Sequence, residues 1–291
     1  MLNPFEVLRI VIEQRCSRQT LRRTPEDFET SAVMDDETGV AQYDQAMQSK
    51  LAIVYAGALE GIHRSRRLLR GGRAIDLCCG PGHFTLLLAK YFDYEEVIGV
   101  DLSAPMIAAA NRNAQHWGLA DRVRFEVADA TNYPSDDNQF DLVTCNDAAH
   151  HLPSLAVVER LLVEMERLAS PNALIQLTDL VRLKTESITD RYTQLLGQDY
   201  LDRGLDHFQK DFCHSMRAAW TGDELRSSLP LNRSRRWYHR APKWLPTVQR
   251  IVGYPDDGLP LNLRQGLPWS AEENPVPEEM RLDWRLSRWL A

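Results

Sequence analysis

No stretch of this 291-residue sequence approaches the run of about 18 apolar residues that spans a bilayer. Cysteine is scarce as well. The five residues Cys16, Cys78, Cys79, Cys145 and Cys213 form neither a C-x-x-C pair nor a secreted framework, which points to a reducing cytosol. Positive charge is in deficit: 34 Lys and Arg against 41 Asp and Glu leave a net charge of -7, so long-range attraction for nucleic acid is absent. Internal repeats are missing too. Glu6 and Glu13 near the N-terminus are unlike a signal peptide. These absences lead us to expect a cytoplasmic, soluble protein made of one large domain, or of a domain with a cap.

What is present begins at Ala74-Ile75-Asp76-Leu77-Cys78-Cys79-Gly80-Pro81-Gly82-His83. An apolar strand ends in a carboxylate and a glycine-rich turn, and a helix over 83–91 follows. The next apolar strand, Val97 to Val100, ends in Asp101. Gly80 and Gly82 let a ligand approach the backbone where a Cβ would block it. An acid about 20 residues beyond such glycines, at the end of the next strand, is placed to grip a ribose diol. The pattern implies an adenosine-containing cofactor.

Three details select S-adenosylmethionine over a nicotinamide dinucleotide. The turn lacks the full G-x-G-x-x-G that sets a helix N-terminus against a pyrophosphate. Asp76 would repel a phosphate but favours a sulfonium and an ammonium group. The strand Val123 to Val127 leads to Asp129, placed to accept the adenine amino group.

In order along the chain, Ile75–His83, Val97–Ser103, Phe125–Ala130 and Phe140–Asn146 resemble the motifs of the class I S-adenosylmethionine-dependent methyltransferases. The resemblance covers about residues 73 to 180, with family-like features to about 252. It implies an α/β fold with a doubly wound, mostly parallel seven-stranded sheet. It also implies cofactor contacts from Tyr43, Asp76, Cys78, Gly80, Gly82, Asp101, Leu102, Met106, Asp129, Ala130 and Asn146. Cys78 departs from the pattern, standing where the family usually has its first glycine. Some quinone-pathway members carry a similar Cys-Cys-Gly turn.

Around this core, the spacing predicts a helix over 3–18, a polar loop to Thr38, and one long helix over about 41–69 ended by Gly71-Gly72. Strands and helices then alternate to about 178, which implies right-handed crossovers. The expected organisation is an N-terminal helical extension (1–72), a core (73–252) with an inserted aromatic-rich cap at 182–220, and a Pro-rich C-terminal extension (253–291).

Methyl transfer from a sulfonium needs an aligned nucleophile and, where the nucleophile carries a proton, a base. His150 and His151 follow Asn146 directly, beside the expected methyl site, and are the candidate catalytic groups; hydrogen bonding at a helix entry is the alternative role for both. Asn146, Asp179 and Leu180 do not complete the oxygen cage that magnesium wants, so no metal is expected. His207, Asp211 and His214 share a helix face that reads as solvated, with ligands or a base reaching onto substrate as the alternative. Arg233, Arg235, Arg236, His239, Arg240 and Lys243, interleaved with Trp237, Tyr238 and Trp244, suit a strand pair with a basic exposed face and aromatics packed inward, or recognition of an anionic small molecule. The leading functional reading is methyl transfer to a small-molecule acceptor. A methyltransferase acting on protein or RNA and a non-catalytic cofactor-binding protein are the alternatives. Against a macromolecular acceptor, the chain lacks an Asn-Pro-Pro-aromatic motif at Asn146 and has no separate basic RNA-binding domain.

Overall fold

A computed structural model describes residues 4–24, 36–48, 52–65, 72–230, 235–241 and 247–255. Its centre is a seven-stranded sheet, β1 (Arg73–Leu77), β2 (Glu96–Asp101), β3 (Val123–Val127), β4 (Phe140–Asn146), β5 (Ala169–Leu180), β6 (Arg235–Arg240) and β7 (Val248–Pro255), in the spatial order β3-β2-β1-β4-β5-β7-β6. The first five strands are parallel; β7 runs antiparallel to both of its neighbours, β5 and β6. The doubly wound fold expected from the motifs is therefore the fold found. β1 and β4 are neighbours although two strands intervene in sequence, and that reversal of strand order opens a crevice at their carboxyl ends.

β1, β2 and β4 are nearly continuous apolar runs because helices cover both faces of the sheet. On one face Ile75, Leu77, Ile98 and Val143 meet α6 (Leu155–Leu168), which presents Val158, Leu161, Leu162, Met165 and Leu168 at helical spacing. On the other face Ala74, Val97, Leu142 and Leu174 meet α3 (Ala52–Ser65) and α4 (His83–Tyr91) through Leu59, Ile62 and Leu88. Each of these large side chains contributes about 1.5–3 kcal/mol by leaving water.

The long helix expected over 41–69 is instead two helices, α2 (Glu37–Met47) and α3. They serve different partners: α2 lies on α5 (Ala104–His116) and on the later helix α8, while α3 lies on the sheet. One straight rod could not do both. The 3–18 helix is α1 (Pro4–Cys16). Between β5 and α9 (Gly222–Ser227) the chain forms a helical hairpin, α7 (Glu186–Asp202) and α8 (Asp206–Ala218), within the segment read as the cap. The Tyr200 ring packs on Phe208 and Phe212 at 4.8 and 6.0 Å, and Phe208 reaches Tyr43 of α2 at 5.7 Å. The aromatic stripe is thus core shared by the hairpin and the N-terminal helices. α8 has no cap from its own chain start; Gln42 Oε1 accepts the N–H groups of His207 and Phe208 at 2.9 and 3.3 Å.

The face expected to be basic on the edge strand is mixed. Arg235 is buried and donates to the carbonyls of Ala169, Ser170 and Ala173, whereas Tyr238 is exposed beside Arg236 and Arg240. Strand alternation puts Arg235, Trp237 and His239 on one side, so charge and aromatics do not segregate. Arg233, Lys243 and Trp244 lie outside the described residues, as does the Pro-rich segment from 256 on; 253–255 belong to β7.

Candidate functional site

The glycine turn is shaped by three left-handed residues, Cys78 (φ 57°), Gly80 (φ 53°) and Gly82 (φ 80°). It is stitched to the end of β2. Gly80 N donates to Asp101 Oδ2 at 2.8 Å, Ser103 N donates to Asp101 Oδ1 at 2.9 Å, and Cys79 N donates to the Val100 carbonyl. Asp101 so fixes the turn while each oxygen keeps a lone pair for a further donor. Burial raises its pKa, and the backbone N–H bonds oppose the rise.

The two glycines differ in role. A Cβ on Gly80 would meet only Tyr43 Cε1, at 3.8 Å, so this position does leave room above the backbone. A Cβ on Gly82 would lie 2.6 Å from Phe125 Cζ and 2.9 Å from Ala110 Cβ. A side chain at Gly82 is therefore excluded by the close packing of α4 on β3 and α5, a reason the sequence did not show.

Asp76 sits beneath the turn, 1% exposed. Thr85 and Thr144 hydroxyls donate to its two oxygens at 2.8 Å each, and Asn146 Nδ2 approaches at 3.4 Å. Burial nevertheless pushes its pKa up to about 6. A cation placed above it would favour the ionised form. Beyond β3, the exposed Asp129 accepts the N–H and hydroxyl of Thr131, and Ala130 is buried behind it. Leu102 is half exposed; Met106 is buried with Val40 and Tyr43. A second anchor closes the front. Asp44 of α2 accepts from His83 Nε2 at 2.6 Å and from Asn113 Nδ2 at 2.8 Å, and Asn113 also binds the Pro81 carbonyl. Against the opposing effect of burial, these bonds and the His83 charge hold the Asp44 carboxyl below its ordinary range. Tyr43 is so held over the turn.

At the other side of the crevice the chain leaves β4 through Asn146 and Asp147. Asp147 adopts φ 51° and donates its N–H to the Thr178 carbonyl at 2.8 Å, which ties this exit to β5. The 3-10 turn Ala149–His151 follows. His150 Nδ1 lies 2.5 Å from Asp179 Oδ1; His150 is 3% exposed and Asp179 fully buried. An Asp oxygen against Nδ1 favours the tautomer with the proton on that nitrogen. His151 stacks beside it with ring centroids 4.0 Å apart. The turn is clamped from the N-terminal segment. Arg23 donates to the carbonyls of His150, Leu152, Pro153 and Ala218 and lies 3.7 Å over the Trp220 ring, and Trp220 Nε1 donates to the Ala149 carbonyl.

Asn146 Oδ1, both carboxyl oxygens of Asp147, Thr178 Oγ1 and Asp179 Oδ2 are buried and take no hydrogen bond within the described residues. Sequence reasoning missed Asp147 and Arg23, and considered Asp179 only as a metal ligand. The signal for Asp179 was its place at the end of β5, beside the exit of β4. No group of three or more His, Cys, Asp or Glu among the described residues is arranged to hold a metal. His207 and His214 lie exposed on α8. No described helix is long and apolar enough to cross a membrane.

Residues 74–172 match a family model described as a methyltransferase domain. A demethylmenaquinone methyltransferase from Lactiplantibacillus plantarum is 34% identical over 148 residues, 50% of this chain and 59% of that protein. A 2-phytyl-1,4-naphtoquinone methyltransferase from Synechococcus elongatus is 31% identical over 137 residues, 46% of this chain and 54% of that protein. The chain thus spans little more than half the length of these curated relatives. Among solved structures, a SAM-dependent methyltransferase from Aquifex aeolicus superposes with a TM-score of 0.51 at 15% identity, over 75% of this chain and 97% of that one, which shows a common fold.

Proposed function

We propose, from the match of residues 74–172 to a methyltransferase-domain model, that this chain is a cytoplasmic S-adenosylmethionine-dependent enzyme which methylates a small-molecule acceptor. The observation that carries the proposal is the buried His150–Asp179 pair, held on the turn that leaves β4 at the switch point of the sheet.

The residues present fit the cofactor. Gly80 leaves an approach to the backbone, and Asp101 retains acceptor capacity for two ribose hydroxyls. Asp129 would accept from the adenine amino group, with Leu102, Met106 and Ala130 to hold the base. Asp76, Cys78 and Asn146 would hold the methionine end, whose positive charge suits Asp76, and Tyr43 would cover it. When bound, S-adenosylmethionine supplies a methyl group made electrophilic by its sulfonium. His150 Nε2 takes the acceptor's proton, and Asp179 orients the ring and stabilises the imidazolium. The electron pair left on the acceptor would then take the methyl group, and the pair of the carbon–sulfur bond would stay with the thioether product. Such a base contributes about 10²- to 10⁴-fold. The α7–α8 hairpin and α2 exclude water from the crevice.

The names of the curated relatives make a reduced naphthoquinone ring the first acceptor to try. Tritium-labelled S-adenosylmethionine should be incubated with the protein and, separately, reduced 1,4-naphthoquinones, pooled metabolites, total RNA and total protein. Label in small molecules is expected. Label confined to RNA or protein would overturn the small-molecule reading, and calorimetric heat with NAD but not with S-adenosylmethionine or S-adenosylhomocysteine would overturn the cofactor.

A further inference from the structure

A side chain from well before residues 74–172 ends on the turn that carries His150. That turn, Ala149–His151, is three residues long, and so short a helical piece leaves its last carbonyls without partners of its own. Arg23 supplies the donors. Its Nη2 donates to the His150 and Leu152 carbonyls at 3.0 and 2.9 Å, and its Nη1 to the Pro153 carbonyl at 3.3 Å. Its Nε donates to the carbonyl of Ala218, the last residue of α8, at 2.7 Å. A guanidinium holds its donors in a rigid planar fork, so acceptors taken together are fixed relative to one another. Its Cζ lies 3.7 Å from the Trp220 ring centre, and Trp220 Nε1 donates to the Ala149 carbonyl at 2.8 Å. The carbonyls of Ala149, His150, Leu152 and Pro153 thus all meet Arg23 or Trp220.

Arg23 is itself seated by its neighbours in sequence. The Thr20 and Leu21 N–H groups donate to the Lys184 carbonyl at 2.8 and 3.0 Å, just before α7, and Gln19 Nε2 reaches the Leu183 carbonyl at 3.1 Å. The Thr24 N–H donates to the Arg217 carbonyl at 3.2 Å. The 2.5 Å contact of His150 Nδ1 with Asp179 needs one separation between this turn and the end of β5. Pairing with β4 and β7 fixes the β5 side. On the other side stands a short turn held by Arg23.

Resting on the reading of His150 as the base, we propose that Arg23 is a positioning residue for the transfer, which holds the His150 turn so that the imidazole stays aligned on Asp179. Residues 19–24 then belong to the working site although they lie outside the matched domain.

The test compares Arg23→Ala with Arg23→Lys in the full chain; lysine keeps the charge and the stem but not the fork. The first readout needs no turnover. The Nδ1 proton of His150, identified by its absence from His150→Ala, should exchange with water about tenfold faster in both variants, while amide protons of β1 and β2 exchange as in the native protein. Unchanged ring exchange overturns the proposal. So does equal acceleration in the strands, or failure of both variants to fold, since Arg23 would then act on the whole fold. With reduced 1,4-naphthoquinone as the probe acceptor, Arg23→Ala should lose about 100-fold in kcat, with calorimetric affinity for S-adenosylmethionine unchanged. His150→Ala measured alongside separates the two readings: a native rate there removes the base itself, whereas a loss there with none in Arg23→Ala removes only Arg23. A native enzyme inert to the probe counts against the acceptor class, and the exchange comparison alone then decides the part of Arg23.

Discussion

The two sides of the crevice are built to different rules. Under the glycine turn, the acid side chains are occupied: Asp76 by two threonines, Asp101 by two backbone N–H groups, Asp44 by His83 and Asn113. At the exits of β4 and β5 the reverse holds, with buried oxygens on four residues left without donors in the described structure. Acids on the first side shape a loop, which is the proposed seat of the cofactor. On the second side Asp179 instead holds the imidazole of His150. Loss of a residue should therefore weaken binding on one side and slow chemistry on the other.

The sharpest separation should come from His150→Ala. Turnover with the accepted substrate is expected to fall about 10²- to 10⁴-fold while calorimetric affinity for S-adenosylmethionine holds. A loss of only a few-fold would make His150 a structural residue at the turn. Asp101→Ala should do the opposite. Removing bonds to a charged group costs about 1.5–3 kcal/mol, so cofactor affinity should weaken roughly 10- to 100-fold, with saturating-cofactor turnover affected less. Affinity equal to native would take Asp101 out of the site. Gly82→Ala should act on neither side first. Positive φ and the 2.6 Å approach to Phe125 should lower stability by about 1–3 kcal/mol in denaturant melts. A native midpoint would show that α4 can shift off Phe125.

The smallest effect concerns a proton. Asp76 has its pKa raised to about 6, so it is partly protonated below that pH. A cationic ligand needs the ionised form; binding should release protons near pH 6, and affinity should rise as pH increases through that value. Calorimetry in buffers of different ionisation enthalpy measures the release, which Asp76→Asn should abolish. Release unchanged in that variant would assign the proton elsewhere.

Much of the first side was legible because its residues follow one another at fixed distances. A strand, an acid, two glycines and a second acid specify their own geometry, and the boundaries of α4 were read to the residue. What Gly82 avoids was not legible, since Phe125 lies on another strand. The second side depends on meetings between distant segments. Asp179 reaches His150 across 29 positions, and Arg23 reaches the same turn across 127. No local period encodes either contact. The split of the 41–69 helix was hidden for a like reason, because the partners that divide it, α5 and α8 on one hand and the sheet on the other, come later in the chain.

Gln42 has a consequence for assembly. α8 receives its terminal hydrogen-bond acceptor from a residue 165 positions earlier, and α2, which carries Gln42, is itself docked through Asp44 to a turn formed after it. Closing so long a loop is entropically expensive and comes after local structure. The cap of α8 therefore closes only after α2 and α8 have each formed, so the join between the hairpin and the N-terminal helices follows the local structure of both.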